Sequence, residues 1–116
     1  MRPNIIDQFG RWAGDDPHVR GVYVTDGRKP FVMRNSLRSF MDRHRSATYD
    51  HAHRALRLKS GAVLYLVSCP TEGDLHRLRG MEFSWMSYPA HYGFFCQTRL
   101  RGERTCATAW TDEAQG

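Results

Sequence analysis

Lysine is nearly missing from this chain: Lys29 and Lys59 stand against fifteen arginines. A surface that only has to stay soluble gains the same charge from either residue. Arginine adds a planar fork that pairs with phosphate or carboxylate through two parallel bonds and stacks on flat rings. Cysteine is scarce as well. Cys69, Cys96 and Cys106 form an odd set without a Cys-x-x-Cys pair, which excludes a disulfide framework and fits a reducing, cytoplasmic compartment. No apolar run approaches the roughly 20 residues of a membrane span. The opening residues have no apolar core and carry an early acid at Asp7, so no secretion signal is expected. Repeats and low-complexity runs are also lacking. No Gly-x-x-x-x-Gly-Lys-Ser/Thr loop occurs, so nothing cradles the β- and γ-phosphates of a nucleotide and ATP turnover is not expected.

What is present is one domain's worth of chain, 116 residues with 41% apolar side chains, enough for a modest core. A formal net charge of +5 favours acidic partners: nucleic acid, an acidic protein face or an anionic membrane surface.

The periodicities predict an α+β domain, or a mixed α/β one. A single sheet of about five to six strands carries two hairpins, with two to three helices packed on it. Residues 4–13 read as a helix capped by Asn4, with Ile5, Phe9 and Trp12 on one face and Gly14 as the stop. Residues 19–25 alternate and are β-branched, which suits a strand, and 26–30 carry turn chemistry. A helix is predicted over 36–45 with Leu37, Phe40, Met41 and His44 as its buried stripe. Residues 54–68 read as a hairpin turning at Ser60-Gly61. Thr71 caps a short helix running to Arg79, and Met81, Phe83 and Trp85 alternate as a strand. A second hairpin is predicted from 92–100 and 104–110, followed by a polar tail over 111–116.

Three basic runs suit phosphate contact. The first combines Arg28 and Lys29 with Arg34, Arg38, Arg43 and Arg45. The second is Arg77 and Arg79; the third is Arg99, Arg101 and Arg104, where Phe95 offers a stacking ring if it faces outward. Trp85, Tyr88, Tyr92 and Trp110 are the side-chain types that anchor protein interfaces. His51 and His53, two residues apart, would share one side of an extended segment. They lack the Cys pair or helical His pair that completes a zinc site, so no metal and no other cofactor is expected. Neither does anything single out one cysteine for a Cys–His catalytic pair.

Several segments together resemble the ATPase core of phage terminase large subunits, over about residues 19–114. They are Val22-Tyr23-Val24-Thr25, the basic helix over 36–45, and the hairpin from Leu56 through Leu66. Leu-Arg-Gly steps follow at 78–80 and 100–102, the second preceding Trp110-Thr111-Asp112-Glu113-Ala114 in the place of an acidic Walker B end. The departure is the missing Walker A loop, which leaves Asp112 and Glu113 no nucleotide to serve. The resemblance therefore implies a repurposed piece without ATPase activity. The function expected first is a non-enzymatic protein of phage or mobile-element type that binds nucleic acid or a nucleoprotein. Next comes an inhibitor or accessory protein of anti-CRISPR type, binding a protein partner through its Trp, Tyr and Arg side chains. A small metal or Cys–His enzyme comes last.

Overall fold

The computed structural model describes residues 4–28 and 30–96, and the backbone of 108–111. Helix α1 (Ile5–Ala13) begins where Asn4 Oδ1 accepts the Ile6 N–H at 2.8 Å, satisfying one of the free donors of the first turn. It ends at Gly14, whose φ of 56° suits glycine, with the Gly14 N–H bonded back to Gly10 O. Its buried face is Ile6, Phe9 and Ala13, while Trp12 is 37% exposed. The stripe is thus turned by about one residue from the predicted Ile5/Phe9/Trp12 set.

Strand β1 (Arg20–Thr25) is followed by α2 (Pro30–Arg43), then by the meander β2 (Thr48–Asp50), β3 (Ala55–Arg57) and β4 (Val63–Ser68). A 3₁₀ helix (Glu72–Gly80) leads to β5 (Trp85–Tyr88). The helical turns Ala90–Tyr92 and Gly93–Phe95 follow, and β6 (Thr108–Thr111) completes the sheet. The sheet order is β2-β3-β4-β1-β5-β6. β1 lies parallel between β4 and β5, β6 is parallel to β5, and β2-β3-β4 are antiparallel neighbours. The α+β class, the single sheet and the hairpin expected over 54–68 stand as the sequence predicts. The antiparallel pairs are β2–β3 and β3–β4, so the second hairpin of the sheet is β2–β3 and not the one expected from 92–100 and 104–110.

Four expectations change. α2 starts at Pro30 and not at 36, because a proline fits the first turn of a helix, where its missing N–H goes unused. β2 was not anticipated. The strand expected from Met81 begins at Trp85, where all four residues are buried and no alternation remains to read. Residues 92–96, expected as the start of a hairpin, are helical, with Phe95 turned inward and Phe94 80% exposed. The rest of that hairpin's first strand lies outside the described residues, and β6 runs parallel to its sheet neighbour.

Two cores form, one on each face of the sheet. α1 and α2 cover Tyr23, Leu56, Leu64, Leu66 and Trp85 with Ile6, Phe9 and Phe40. The 3₁₀ helix and the turns over 90–95 cover Val22, Val24 and Met86 with Leu75, Leu78, Tyr92 and Phe95. Gly21 is where α1 comes closest to β1. A Cβ there would stand 2.5 Å from Phe9 Cε1, so a side chain would push α1 off the sheet. Asn4 Nδ2 donates to Ser36 O, and Arg43 pairs with Asp7 at 2.8 Å, which together fix α1 against α2.

Candidate nucleic-acid interface

α2 buries Phe40 and half-buries Met33, Leu37 and Met41 against the sheet. Its other side presents Phe31, Arg34, Asn35 and Arg38 to solvent. Helical spacing puts Phe31, Arg34 and Arg38 on one stripe. Phe31 is 55% exposed, and neither arginine has an ion pair or hydrogen bond among the described residues. Two like charges one turn apart cost an isolated helix about 0.2–0.5 kcal/mol. No acid in the first turn offsets them; Asp42, the only acid on the helix, lies one turn on from Arg38 and makes no ion pair with it.

The other predicted cations divide by environment. Arg28 sits at the mouth of the same helix, with Nε 3.5 Å from Asp26 and the side chain 74% exposed. Arg43 is taken up by Asp7 and by the carbonyl of Ser39. Arg45 is exposed beyond the helix end. Arg77 acts as a strut: its guanidinium donates to Ser68 O at 2.6 Å and through Nε to Asp74 O at 3.2 Å, tying the 3₁₀ helix to the end of β4. Arg79 is exposed. Lys29, Arg99, Arg101 and Arg104 lie outside the described residues, as do Asp112 and Glu113.

The aromatic anchors expected for a protein partner are placed otherwise. Trp85, Tyr88 and Tyr92 are 0%, 1% and 4% exposed, built into the two cores. Trp85 meets Phe9 edge-to-face at 5.3 Å, and the Tyr92 hydroxyl donates to Cys69 O at 2.7 Å. Their size, which suggested anchors, fills the interior. For Trp110 the described part is backbone alone, in β6. Phe95, considered as a stacking ring, is buried with His76 against its edge.

His51 and His53 do not converge. Residues 51–54 form a turn, with Arg54 in the left-handed region at φ 50°. His53 Nδ1 lies 2.7 Å from Asp50 Oδ2, whereas His51 packs edge-on to Tyr49. Among the described residues no three His, Cys, Asp or Glu side chains gather as metal ligands. The His53 contacts, ring first and backbone N–H second, hold the Asp50 carboxyl down at about 2 from an ordinary 3.8, with Arg57 assisting. Because the folded value is depressed, this contribution to stability is complete above the unfolded value and disappears as pH falls through about 2. Carboxyl NMR titration should therefore find the Asp50 midpoint near 2, and His53→Ala should return it towards 3.8. An unchanged midpoint would mean that His53 is not the cause.

Cys69 is fully buried and its thiol is pushed up by desolvation, more than Arg77 pulls it down, which is the opposite of an activated nucleophile. Cys96 is buried too, and Cys106 lies outside the described residues.

A cleft of about 410 Å³ opens between the ends of α1 and α2 and the β3–β4 turn, lined by Arg11, Arg43, His44 and Lys59 among others. Two helix C-termini point there, and Asp7 and Asp15 line it. Their negative ends already account for the basic side chains, so the cleft suits an anion poorly.

The opposite end of the sheet differs. β1 and β5 are parallel neighbours, yet the chain leaves β1 towards the α2 face and leaves β5 towards the other. Such a divergence is where open α/β sheets bind ligands. Asp26, at the end of β1, is buried there with its side chain 2% exposed, and His91, just past β5, reaches it at 3.4 Å.

No helix among the described residues is long and apolar enough to cross a membrane. Comparisons with family models, with curated proteins and with solved structures find no match to the chain.

Proposed function

We propose that the protein is a non-enzymatic nucleic-acid-binding domain that grips a strand along the exposed face of α2. The observation that carries this reading is the stripe of Phe31, Arg34 and Arg38: an exposed ring beside two arginines that make no ion pair among the described residues, although Asp42 lies one turn on from Arg38. Phosphate oxygens pair with the guanidinium forks, and the ring offers a base a stacking surface. Arg28 extends the stripe to the carboxyl edge of the sheet, and Arg45 lies beyond the other end of the helix. The net charge of +5 adds long-range attraction for any polyanion. The reading keeps from the terminase resemblance only the order of strand, basic helix and hairpin, and it involves no nucleotide hydrolysis.

Titration of the full chain with single-stranded DNA, duplex DNA and RNA of one sequence, at about 50 and 200 mM salt, tests it. Affinity should be highest for a single strand, because only unpaired bases can reach the Phe31 ring. It should fall by an order of magnitude or more across that salt range as counterions are no longer released to advantage. Absence of binding at low salt would overturn the reading.

A further inference from the structure

We propose that the crevice between the carboxyl ends of β1 and β5 binds the terminal phosphate of a strand, a phosphomonoester, held by Arg28 and His91 above the buried carboxylate of Asp26. The identity of the ligand as a strand end rests on the nucleic-acid reading; the phosphate chemistry of the crevice does not.

A carboxylate that is 98% buried needs partners, since an uncompensated buried charge is costly. Asp26 Oδ1 accepts the Arg28 N–H at 3.0 Å, while Oδ2 has no hydrogen bond among the described residues. Arg28 Nε and His91 Nε2 stand 3.5 and 3.4 Å from that same Oδ2. Charge-assisted bonds close to about 2.7–2.9 Å, so both groups are attracted to Asp26 without being locked on it. Asp26 is thus a positioning residue, a buried anion that holds two donors side by side at the mouth of the crevice.

Since each lies near 3.5 Å from one oxygen, the two nitrogens are no more than about 7 Å apart. The two side chains therefore flank one small opening, narrow enough for a single phosphate to touch both. Arg28 approaches Asp26 through Nε and keeps its side chain 74% exposed, so its guanidinium is open to a ligand. His91 is 42% exposed and its Nδ1 has no hydrogen bond among the described residues. α2 opens at the same place with no acid in its first turn, so its positive end adds to the two side chains. A divalent cation would meet the Arg28 guanidinium as a like charge, whereas an anion meets it as a partner.

A terminal monoester fits better than an internal diester for two reasons. It carries about −1.5 to −2 charges at neutral pH against one for a diester, which favours it beside two basic side chains. The crevice also lies where the α2 stripe ends, beyond Arg28, so a strand following the stripe arrives there with its end.

The test uses one labelled oligonucleotide in three forms: 5′-phosphate, 3′-phosphate, and hydroxyl at both ends. One phosphorylated form should bind about tenfold tighter than the hydroxyl form, and which of the two does so gives the strand polarity. His91→Gln, an exposed position, should abolish the preference and leave hydroxyl-ended affinity unchanged; Asp26→Asn should also weaken it. Inorganic phosphate should reduce the favoured form to the hydroxyl level and shift the His91 ring signals in NMR spectra. Equal affinity for all three ends, with salt-dependent binding intact, would overturn the crevice proposal and leave the α2 reading standing. If no oligonucleotide binds, the α2 reading fails instead. A phosphate-induced shift of His91 would then still support the crevice as an anion site, and no shift would overturn it.

Discussion

Trp85→Ala is expected to lower the unfolding free energy by about 3–5 kcal/mol, the usual cost of removing a buried aromatic, while Trp85→Phe should cost far less. The indole is fully buried on the α1/α2 face of the sheet, among Phe9, Leu64 and Tyr23. Its edge-to-face contact with Phe9 ties α1 to β5 and is lost with the ring, a term of about 0.5–1.5 kcal/mol within that total. The indole N–H has no hydrogen-bond partner among the described residues, so phenylalanine gives up volume but no polar contact there. Denaturant unfolding of the two variants measures the difference. If Trp85→Ala unfolded at nearly the wild-type midpoint, the residue would be at a surface, and its role as a partner anchor would return.

That reversal shows where the sequence was legible and where it was not. Segments whose pattern has one physical cause were read well. Asn4 as a cap, Gly14 as a stop and the β3–β4 turn each depend on neighbours a few residues away. So does the Thr71–Asp74 pairing that opens the 3₁₀ helix, in which the Thr71 N–H and hydroxyl both donate to Asp74 Oδ2 at 3.0 Å and hold that carboxyl low. β5 could not be read because both of its faces are covered. Trp85 belongs to one core and Met86 and Tyr88 to the other, so burial ran continuously through a strand whose chemistry looked surface-active.

The site divides in the same way. Arg34 and Arg38 were visible from helical spacing alone. Phe31 was missed because the helix was started at 36, which left the ring in a loop and off the stripe. Asp26 and His91 are 65 residues apart, and only the parallel pairing of β1 with β5 brings them together. Asp26-Gly27 read as turn chemistry, which is correct: Gly27 has a φ of 80°, and Asp26 Oδ1 accepts the Arg28 N–H. The one signal left in the sequence was an aspartate at the end of an apolar strand followed directly by a basic turn and a helix.

The largest effect on binding is expected from the α2 stripe. Arg34→Gln with Arg38→Gln should reduce the slope of log affinity against log salt by about 1.4 for a single strand, since each lost phosphate contact removes about 0.7. Phe31→Ala should leave the slope unchanged and cost about 1–3 kcal/mol with single strands, but little with a duplex, whose bases are already stacked on one another. The two variants therefore separate charge from stacking at one site. Neither should weaken the fold: Phe31, Arg34 and Arg38 are exposed, and removing the like-charge pair relieves α2 of a small repulsion. A control with the same change in net charge is Arg54→Gln with Lys59→Gln, both exposed and both carried by the hairpin turns. If the interface is the α2 stripe, the control should lower affinity only slightly, through the weaker long-range field. Equal losses in the two double variants would mean that net charge alone attracts the nucleic acid. An unaffected Arg34/Arg38 variant would move the interface off α2 and make Arg99, Arg101 and Arg104 the next residues to replace.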